Sequence, residues 1–227
     1  MSKRNLKGLI FDLDGTLANT IEDLADSMNR ILLSQGFPIH SCDAYRYFVG
    51  AGVRNLVLRA LPEDERHDEI IDRCYNLMIS DYNQNCFIKT KLYDGIIDVI
   101  DQLRSRGIKL AVFSNKVDNL TNRFVEKLIG LEKFEMVIGS KPTIPLKPDP
   151  TGALLISNHL GIAPGNMGYI GDSGTDMLTA NKAGMFAIGA LWGFRTKEEL
   201  LSNGAIKLLN HPEELLYLKE LDHVVSK

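Results

Sequence analysis

The chain has 227 residues, of which 44% are hydrophobic and 24% are charged, enough for one large core or a core with a small satellite domain. Its formal net charge of −3 and its lack of a basic patch exclude nucleic acid as an expected partner. It has no apolar run of membrane-spanning length and no apolar secretory segment, so we expect a cytoplasmic protein with no membrane partner. Three widely spaced cysteines fit neither a disulfide framework nor a zinc site.

Short apolar runs alternate with helical patterns at the start of the chain and again from residue 90 onward. The runs predict strands that are covered on both faces, and they are Gly8–Phe11, Lys109–Phe113, Glu135–Ile138, Met167–Ile170 and Phe186–Gly189. The dipeptide Asp149-Pro150 is typical of the cap and first turn of a helix, which should end near Gly161. This alternation predicts an α/β fold with a doubly wound, Rossmann-like parallel sheet.

The stretch between the first two predicted strands has a different pattern. Its apolar residues repeat at helical spacing, and it contains no convincing strand. We therefore expect an α-helical cap domain of residues 18–89, inserted after the first strand into a core of residues 1–17 and 90–227. Segments 17–20 and 87–92 are the expected hinges.

Two carboxylates directly follow the first predicted strand, in the motif DLDGT at residues 12–16. Ligands of open parallel sheets bind beyond the carboxyl ends of the strands, and Gly15 would let the backbone turn tightly beside one. A calcium loop is a poor alternative, because its twelfth position is Asp23 rather than Glu and a strand precedes it. An ordinary solvated turn stays open from this motif alone.

Three further clusters carry polar groups at similar places. Ser114 and Asn115 precede a predicted helix, where they could bind an anion or simply cap the helix. Lys147 lies in a proline-stiffened segment before a helix, although most lysines are solvated surface charges. Asp172 and Asp176 follow the fourth predicted strand, where they could face one cleft or complement the dipole of the next helix.

The combination of the four clusters is more informative than any one of them. Three directly follow a predicted strand, so their side chains should meet at one edge of the sheet. Carboxylates about 4 Å apart repel by on the order of 4 kcal/mol at an effective dielectric near 20, which calls for a cation. Carboxylate ligands without His or Cys favour Mg²⁺ over zinc.

In this order, the motifs resemble those of the haloacid-dehalogenase superfamily, and within it the phosphoglycolate phosphatases. The closer likeness depends on residues 114–116, on residues 49–54 and on Trp192-Gly193. The resemblance implies a phosphoric monoester hydrolase, dependent on Mg²⁺, that hydrolyses a small phosphoglycolate-like metabolite through an aspartyl-phosphate. We expect a monomer or homodimer. A sugar-phosphate mutase and a non-catalytic regulatory protein of the same fold are the alternatives.

The resemblance also implies roles for the acidic residues. Asp12 would be the nucleophile, and Asp14 would protonate the leaving oxygen and then activate water. The metal ligands would be Asp12, the backbone carbonyl of Asp14, and Asp172. Thr16 would orient the Asp14 loop, and Asp176 would order metal-bound water or the lysine without binding the ion itself.

The remaining implied roles concern the substrate. Ser114, the backbone of Asn115, and Lys147 would bind the transferring phosphoryl oxygens. In the cap, Arg54 could pair with a substrate carboxylate in a fork geometry, and an ordinary surface arginine is the alternative.

Overall fold

The computed structural model describes residues 5–221 and has a parallel sheet at its centre. The strands of this part of the chain are β1 (Gly8–Phe11), β2 (Ala18–Asn19), β3 (Lys91–Leu92), β4 (Lys109–Val117), β5 (Met136–Ser140), β6 (Met167–Gly171), β7 (Phe186–Ala190) and β8 (Lys207–Leu209). Six of them form one sheet in the order β5-β4-β1-β6-β7-β8, and all neighbours in it are parallel. The direction of winding reverses between β1 and β6, which is where sheets of this kind bind ligands.

Some α-helices of residues 5–221 cover the two faces of the sheet, and the first four pack mainly on one another. The α-helices are α1 (Ile21–Ser34), α2 (Cys42–Phe48), α3 (Val53–Ala60), α4 (Asp68–Asn85), α5 (Ile96–Ser105), α6 (Asp118–Leu128), α7 (Thr151–Leu160), α8 (Gly174–Lys182) and α9 (Lys197–Ser202). Side chains of β1 alternate between two apolar clusters, because successive residues of a strand point to opposite faces. Leu9 and Phe11 join the cluster that contains residues of α5 and α6, whereas Ile10 joins the one with α7 and α8. The predicted doubly wound α/β fold is confirmed.

The predicted strands all form, but β4 continues four residues beyond its predicted end at Phe113. Its pairing with β5 shifts register between Phe113 and Val117. As a result Ser114 and Asn115 belong to a strand. The N-cap residue of α6 is Val117, and no side chain forms a capping hydrogen bond there. The helix-cap interpretation of Ser114 and Asn115 is therefore wrong.

Smaller differences concern β2, β3, β8 and α7. The two-residue strands β2 and β3 are not among the predicted runs, and β2 lies within residues 18–89, where only helices are expected. The three-residue β8 is too short to stand out in the sequence as an apolar run, so the sequence does not predict it. Helix α7 ends before Gly161 as expected, but it begins at Thr151, one residue later than Asp149-Pro150 implied. The Asp149 carboxylate accepts a hydrogen bond from the Thr151 N–H, so it does act at the start of the helix.

Helices α1–α4 lie between β2 and β3, and we call residues 21–85 the helical segment. Strands β2 and β3 pair antiparallel, so the chain enters and leaves this segment at one place. The buried Asp23 carboxylate accepts hydrogen bonds from the N–H groups of Lys89 and Thr90, which ties α1 to the returning chain. The division into cap and core domains and the two hinges stay predictions. Within residues 5–221, no helix combines the length and the apolar character that crossing a bilayer requires.

Candidate active site

The carboxyl ends of β1 and β6 bring two aspartates together at the point where the winding reverses. Asp12 directly follows β1, and Asp172 directly follows β6. One carboxylate oxygen each from Asp12, Asp172 and Asp176 lies within 4.8 Å of the others, and all three residues are buried. The sheet topology thus places residues 160 positions apart in one cleft.

Lys147 neutralises only part of this charge. Its ammonium lies 2.9 Å from Asp12 Oδ1 and 2.6 Å from Asp176 Oδ1, and its side chain is 2% exposed. One lysine against three carboxylates leaves an excess of two negative charges in a buried site. Uncompensated buried charge is strongly unfavourable, so the cluster is compatible with a divalent metal ion.

The pKa values of Asp12, Asp172 and Lys147 reflect burial and the excess of negative charge in the cluster. Burial raises the pKa of Asp12 from 3.8 to about 7, because the attraction of Lys147 offsets only part of the desolvation and Asp176 adds repulsion. Burial also raises the pKa of Asp172 well above its ordinary value, and the charges of Asp176 and Asp12 add to the shift. Burial by itself would lower the pKa of Lys147, but Asp12 and Asp176 raise it well above its ordinary value. A bound cation would favour the ionised carboxylates.

Hydrogen bonds distinguish the aspartates that are free to hold a cation. Both oxygens of Asp176 accept from protein donors: Oδ1 from Lys147, and Oδ2 from the N–H and hydroxyl of Ser173 at 3.1 and 2.6 Å. Leu13 N–H and the Lys147 ammonium both approach Oδ1 of Asp12, so these two donors leave Oδ2 available to a ligand. Asp12 therefore fits direct coordination better than Asp176. Both oxygens of Asp172 also accept from protein donors, but the contact at Oδ1 is long, at 3.3 Å.

Glycines let two loops pack closely around Asp172. Gly15 has φ +83°, and a Cβ there would overlap the Asp172 carboxylate. A Cβ at Gly193 would overlap both Asp172 and the Gly15 carbonyl. The neighbouring Phe194 N–H donates to Asp172 Oδ2 at 2.7 Å. Any side chain at either glycine would displace the carboxylate.

Thr16 connects the DLDGT loop to Asp172 and to Trp192. Its hydroxyl donates to Asp172 Oδ1 at 3.3 Å, and its carbonyl accepts from the indole N–H of Trp192 at 2.9 Å. Thr16 thus holds the DLDGT loop against the Asp172 loop, while the hydroxyl of the nearby Thr20 donates to Asp14 Oδ1 at 2.7 Å.

Ser114 and Asn115 lie at the end of β4, beside the acidic cluster. Ser114 lines the cleft, and its hydroxyl accepts from the Lys116 N–H at 3.2 Å. The Asn115 side chain accepts from Lys147 N–H at 2.8 Å and donates to the Lys147 carbonyl at 3.1 Å. It also donates to the Gly50 carbonyl of the helical segment at 3.0 Å. The Asn115 side-chain amide therefore holds the Lys147 backbone in place.

The sequence interpretation assigned no role to Lys116, which is buried in the cleft. Its ammonium donates to Asp14 Oδ1 at 2.9 Å, to Asp14 Oδ2 at 3.2 Å, and to the Tyr82 hydroxyl at 3.0 Å. Lys116 and Ser114 are two residues apart on one strand, a spacing that puts side chains on the same face. The sequence does not reveal this shared face, because the predicted strand ends at Phe113 and leaves Ser114 and Lys116 outside it.

Arg54 is not brought to this site. Its guanidinium is half exposed and pairs with Asp68 at 2.9 Å and Asp72 at 3.0 Å, both on α4. It is absent from the lining of the cleft in the described part of the chain. The structure supports the surface-arginine alternative.

Comparisons with known proteins agree with this geometry. The model of the haloacid dehalogenase-like hydrolase family matches residues 9–190. The phosphoglycolate phosphatase of Chromobacterium violaceum is 31% identical over 95% of this chain and 97% of its own. That of Agrobacterium fabrum is 35% identical over 86% of this chain and 84% of its own. A crystal structure from Lactobacillus delbrueckii subsp. bulgaricus, provisionally assigned as a phosphoglycolate phosphatase, has TM-score 0.87 and 30% identity, covering 93% of this chain and 97% of that one. With its DLDGT loop and buried aspartate cluster at the ends of β1 and β6, this chain belongs to the haloacid dehalogenase-like hydrolase family.

Proposed function

We propose that this protein is a Mg²⁺-dependent phosphatase that hydrolyses a small phosphoglycolate-like metabolite through an aspartyl-phosphate on Asp12. The main support is the convergence of Asp12, Asp14, Lys147 and Asp172, from three separate segments, beside one cleft. The names of the relatives from C. violaceum and A. fabrum support the same substrate class.

In this proposal Asp12 and Asp14 divide the reaction into two steps. An ionised oxygen of Asp12 attacks phosphorus, the ester bond breaks, and Asp14 donates a proton to the leaving oxygen. Asp14 then takes a proton from a water molecule that attacks the same phosphorus, which releases phosphate and restores Asp12. Magnesium, held by Asp12, Asp172 and the Asp14 carbonyl, would neutralise charge on the phosphoryl oxygens.

The remaining residues position the phosphoryl group. Lys147, Ser114 and the Asn115 N–H would bind its oxygens as their charge redistributes in the transition state. The Asn115 amide and the Asp176 carboxylate hold Lys147 in place beforehand, so little reorganisation is needed during reaction. Apolar side chains of the helical segment, such as Leu24, would exclude water from the closed cleft.

The test is phosphate release from 2-phosphoglycolate by the purified protein, with MgCl₂ and with chelator. We expect turnover with magnesium, loss of turnover with chelator, and no turnover in Asp12→Asn. Conversion of a hexose 1-phosphate to its isomer, without net phosphate release, would instead favour the mutase. Absence of turnover with every phosphomonoester of a metabolite panel would favour the non-catalytic alternative.

A further inference from the structure

Lys116 is a buried cation whose partner is the proposed acid. Its side chain is 2% exposed, and its ammonium lies 4.6 Å from the ring centroid of Tyr82 and 4.3 Å from that of Phe124. Within residues 5–221, the carboxylate that pairs with it is Asp14, whose side chain is 13% exposed. A buried ammonium among aromatic rings needs a counter-charge. If Asp14 moves away from Lys116, another negative charge must therefore take its place.

Asp14 cannot keep all of its contacts with Lys116 and Thr20 while it protonates the leaving oxygen. Here its Oδ1 accepts hydrogen bonds from both Lys116 and Thr20, and its Oδ2 accepts one from Lys116. To protonate a leaving oxygen, the carboxyl group must turn toward the substrate and give up at least part of this pairing. A second anionic group on the substrate would restore the charge balance at Lys116.

The rest of the cleft favours Lys116 as the site for that second anion. The helical segment contributes mainly apolar lining, from residues such as Leu24, Val53 and Leu56. Arg195 also lines the cleft, but its guanidinium already donates to the carbonyls of Val49 at 3.0 Å and Tyr47 at 3.3 Å. The Lys116 ammonium, in contrast, pairs with Asp14, which the proposed mechanism also requires as the general acid.

Distances also limit where the second anion can lie in the substrate. The ester oxygen must come within hydrogen-bond reach of Asp14, and the Asp14 carboxylate is 2.9 Å from the Lys116 ammonium. A carboxylate on the carbon next to the ester oxygen can reach Lys116 from that position. A carboxylate several carbons further away would reach Lys116 only if the chain folded back, which costs conformational entropy.

We propose that Lys116 binds the substrate carboxylate, which displaces Asp14 from Lys116 and frees it to serve the leaving oxygen. This inference rests on the proposed function and narrows it to phosphate esters of 2-hydroxy acids. Binding of the carboxylate and release of the acid are then one event, so an ester without the carboxylate is a poorer substrate even when it fits the cleft.

The test compares kcat/KM for 2-phosphoglycolate with kcat/KM for ethyl phosphate, which differs by lacking the carboxylate. In Lys116→Met, the ratio of the two values should fall about 10- to 100-fold, the usual worth of a hydrogen bond between charged groups. Any disturbance of Asp14 common to both substrates cancels in the ratio. Lys116→Arg should retain part of the preference, and Arg195→Gln should retain the wild-type ratio. Thermal melting checks that each variant is folded.

Two kinetic outcomes overturn the inference while leaving the proposed phosphatase intact. One is a ratio in Lys116→Met that stays within about threefold of the wild type, since that is less than a charged hydrogen bond contributes. The other is a loss of preference in Arg195→Gln instead of Lys116→Met.

If the wild type releases no phosphate from either ester, the proposed function fails, and titration calorimetry with both esters decides the role of Lys116. A preference for binding 2-phosphoglycolate that disappears in Lys116→Met supports the inference. Equal binding of the two esters, or none, overturns it.

Discussion

The two sides of the cleft are built in different ways. On the core side, charged and polar groups are buried and held by several hydrogen bonds each, as Asp176 and Lys147 illustrate. On the side of the helical segment, the lining is mostly apolar, and its polar contacts to the core include the Tyr82 hydroxyl and the Gly50 carbonyl. The difference indicates that the core side supports the chemistry and that the opposite side shapes and dehydrates the substrate pocket.

The largest expected effect comes from the centre of the core side. Asp12→Asn should leave no measurable turnover of 2-phosphoglycolate, because the change removes the nucleophile and a metal ligand together. Steady-state release of phosphate measures it. Asp64→Asn, on an exposed residue outside the cleft, is the matched control and should behave as the wild type. Residual activity of Asp12→Asn near the wild-type level would rule out the aspartyl-phosphate.

Asp14 lies where the two sides of the cleft meet, and its loss should be less complete. Asp14→Asn should lower kcat by roughly 10²–10⁴-fold, which is the usual contribution of general acid–base catalysis. The reduction should be smaller for an aryl phosphate, because an aryl oxide leaves with less need of a proton. Equal reductions for the alkyl and aryl esters would contradict the role of Asp14 as the acid.

Metal addition should stabilise the core side in a pH-dependent way. The pKa of Asp12 rises from 3.8 to about 7 on folding without metal. A raised pKa favours the protonated carboxyl, so its stabilising contribution is full below 3.8 and is lost as the pH increases through about 7. The raised pKa of Asp172 acts in the same direction.

We therefore expect the Tm in chelator to fall between about pH 5 and about pH 8. Magnesium should raise the Tm more at the higher pH, where the carboxylates are ionised and ready to bind it. Thermal melting at both pH values, with MgCl₂ or chelator, measures this. An equal increase at the two pH values would show that the ion does not bind these aspartates.

The smallest effect is expected on the outer surface of the helical segment. Arg54→Ala should change kcat/KM for 2-phosphoglycolate by no more than about twofold, since exposed ion pairs such as those with Asp68 and Asp72 contribute little. The kinetic constants for 2-phosphoglycolate and ethyl phosphate decide it. A large increase in KM for 2-phosphoglycolate alone would instead support a contact between Arg54 and the substrate carboxylate.

The core side was largely predictable from the sequence. Short apolar runs identify β1 and β6, and the residues that follow such runs must lie at the carboxyl edge of a parallel sheet. Asp12 and Asp172 therefore meet because of a general property of the fold. The structure places Lys147 with them, although the segment before α7 gave only weak local evidence for it.

The helical side was predictable only as far as secondary structure. A guanidinium can pair with a carboxylate in a fork geometry, but the orientation of Arg54 depends on α4, which supplies Asp68 and Asp72. Lys116 was overlooked for the converse reason, because its environment depends on Tyr82, which is 34 residues away in sequence.

Local pattern thus determined the strands, the helices and the acidic motifs, because hydrophobic periodicity and strand ends are properties of short stretches. Tertiary structure alone decided which cations face the cleft. A long side chain can reach several directions from one backbone position, and packing against distant elements selects among them. Here the continuation of β4 to Val117 and the packing of α4 above it place Lys116 inside, whereas α4 holds Arg54 outside.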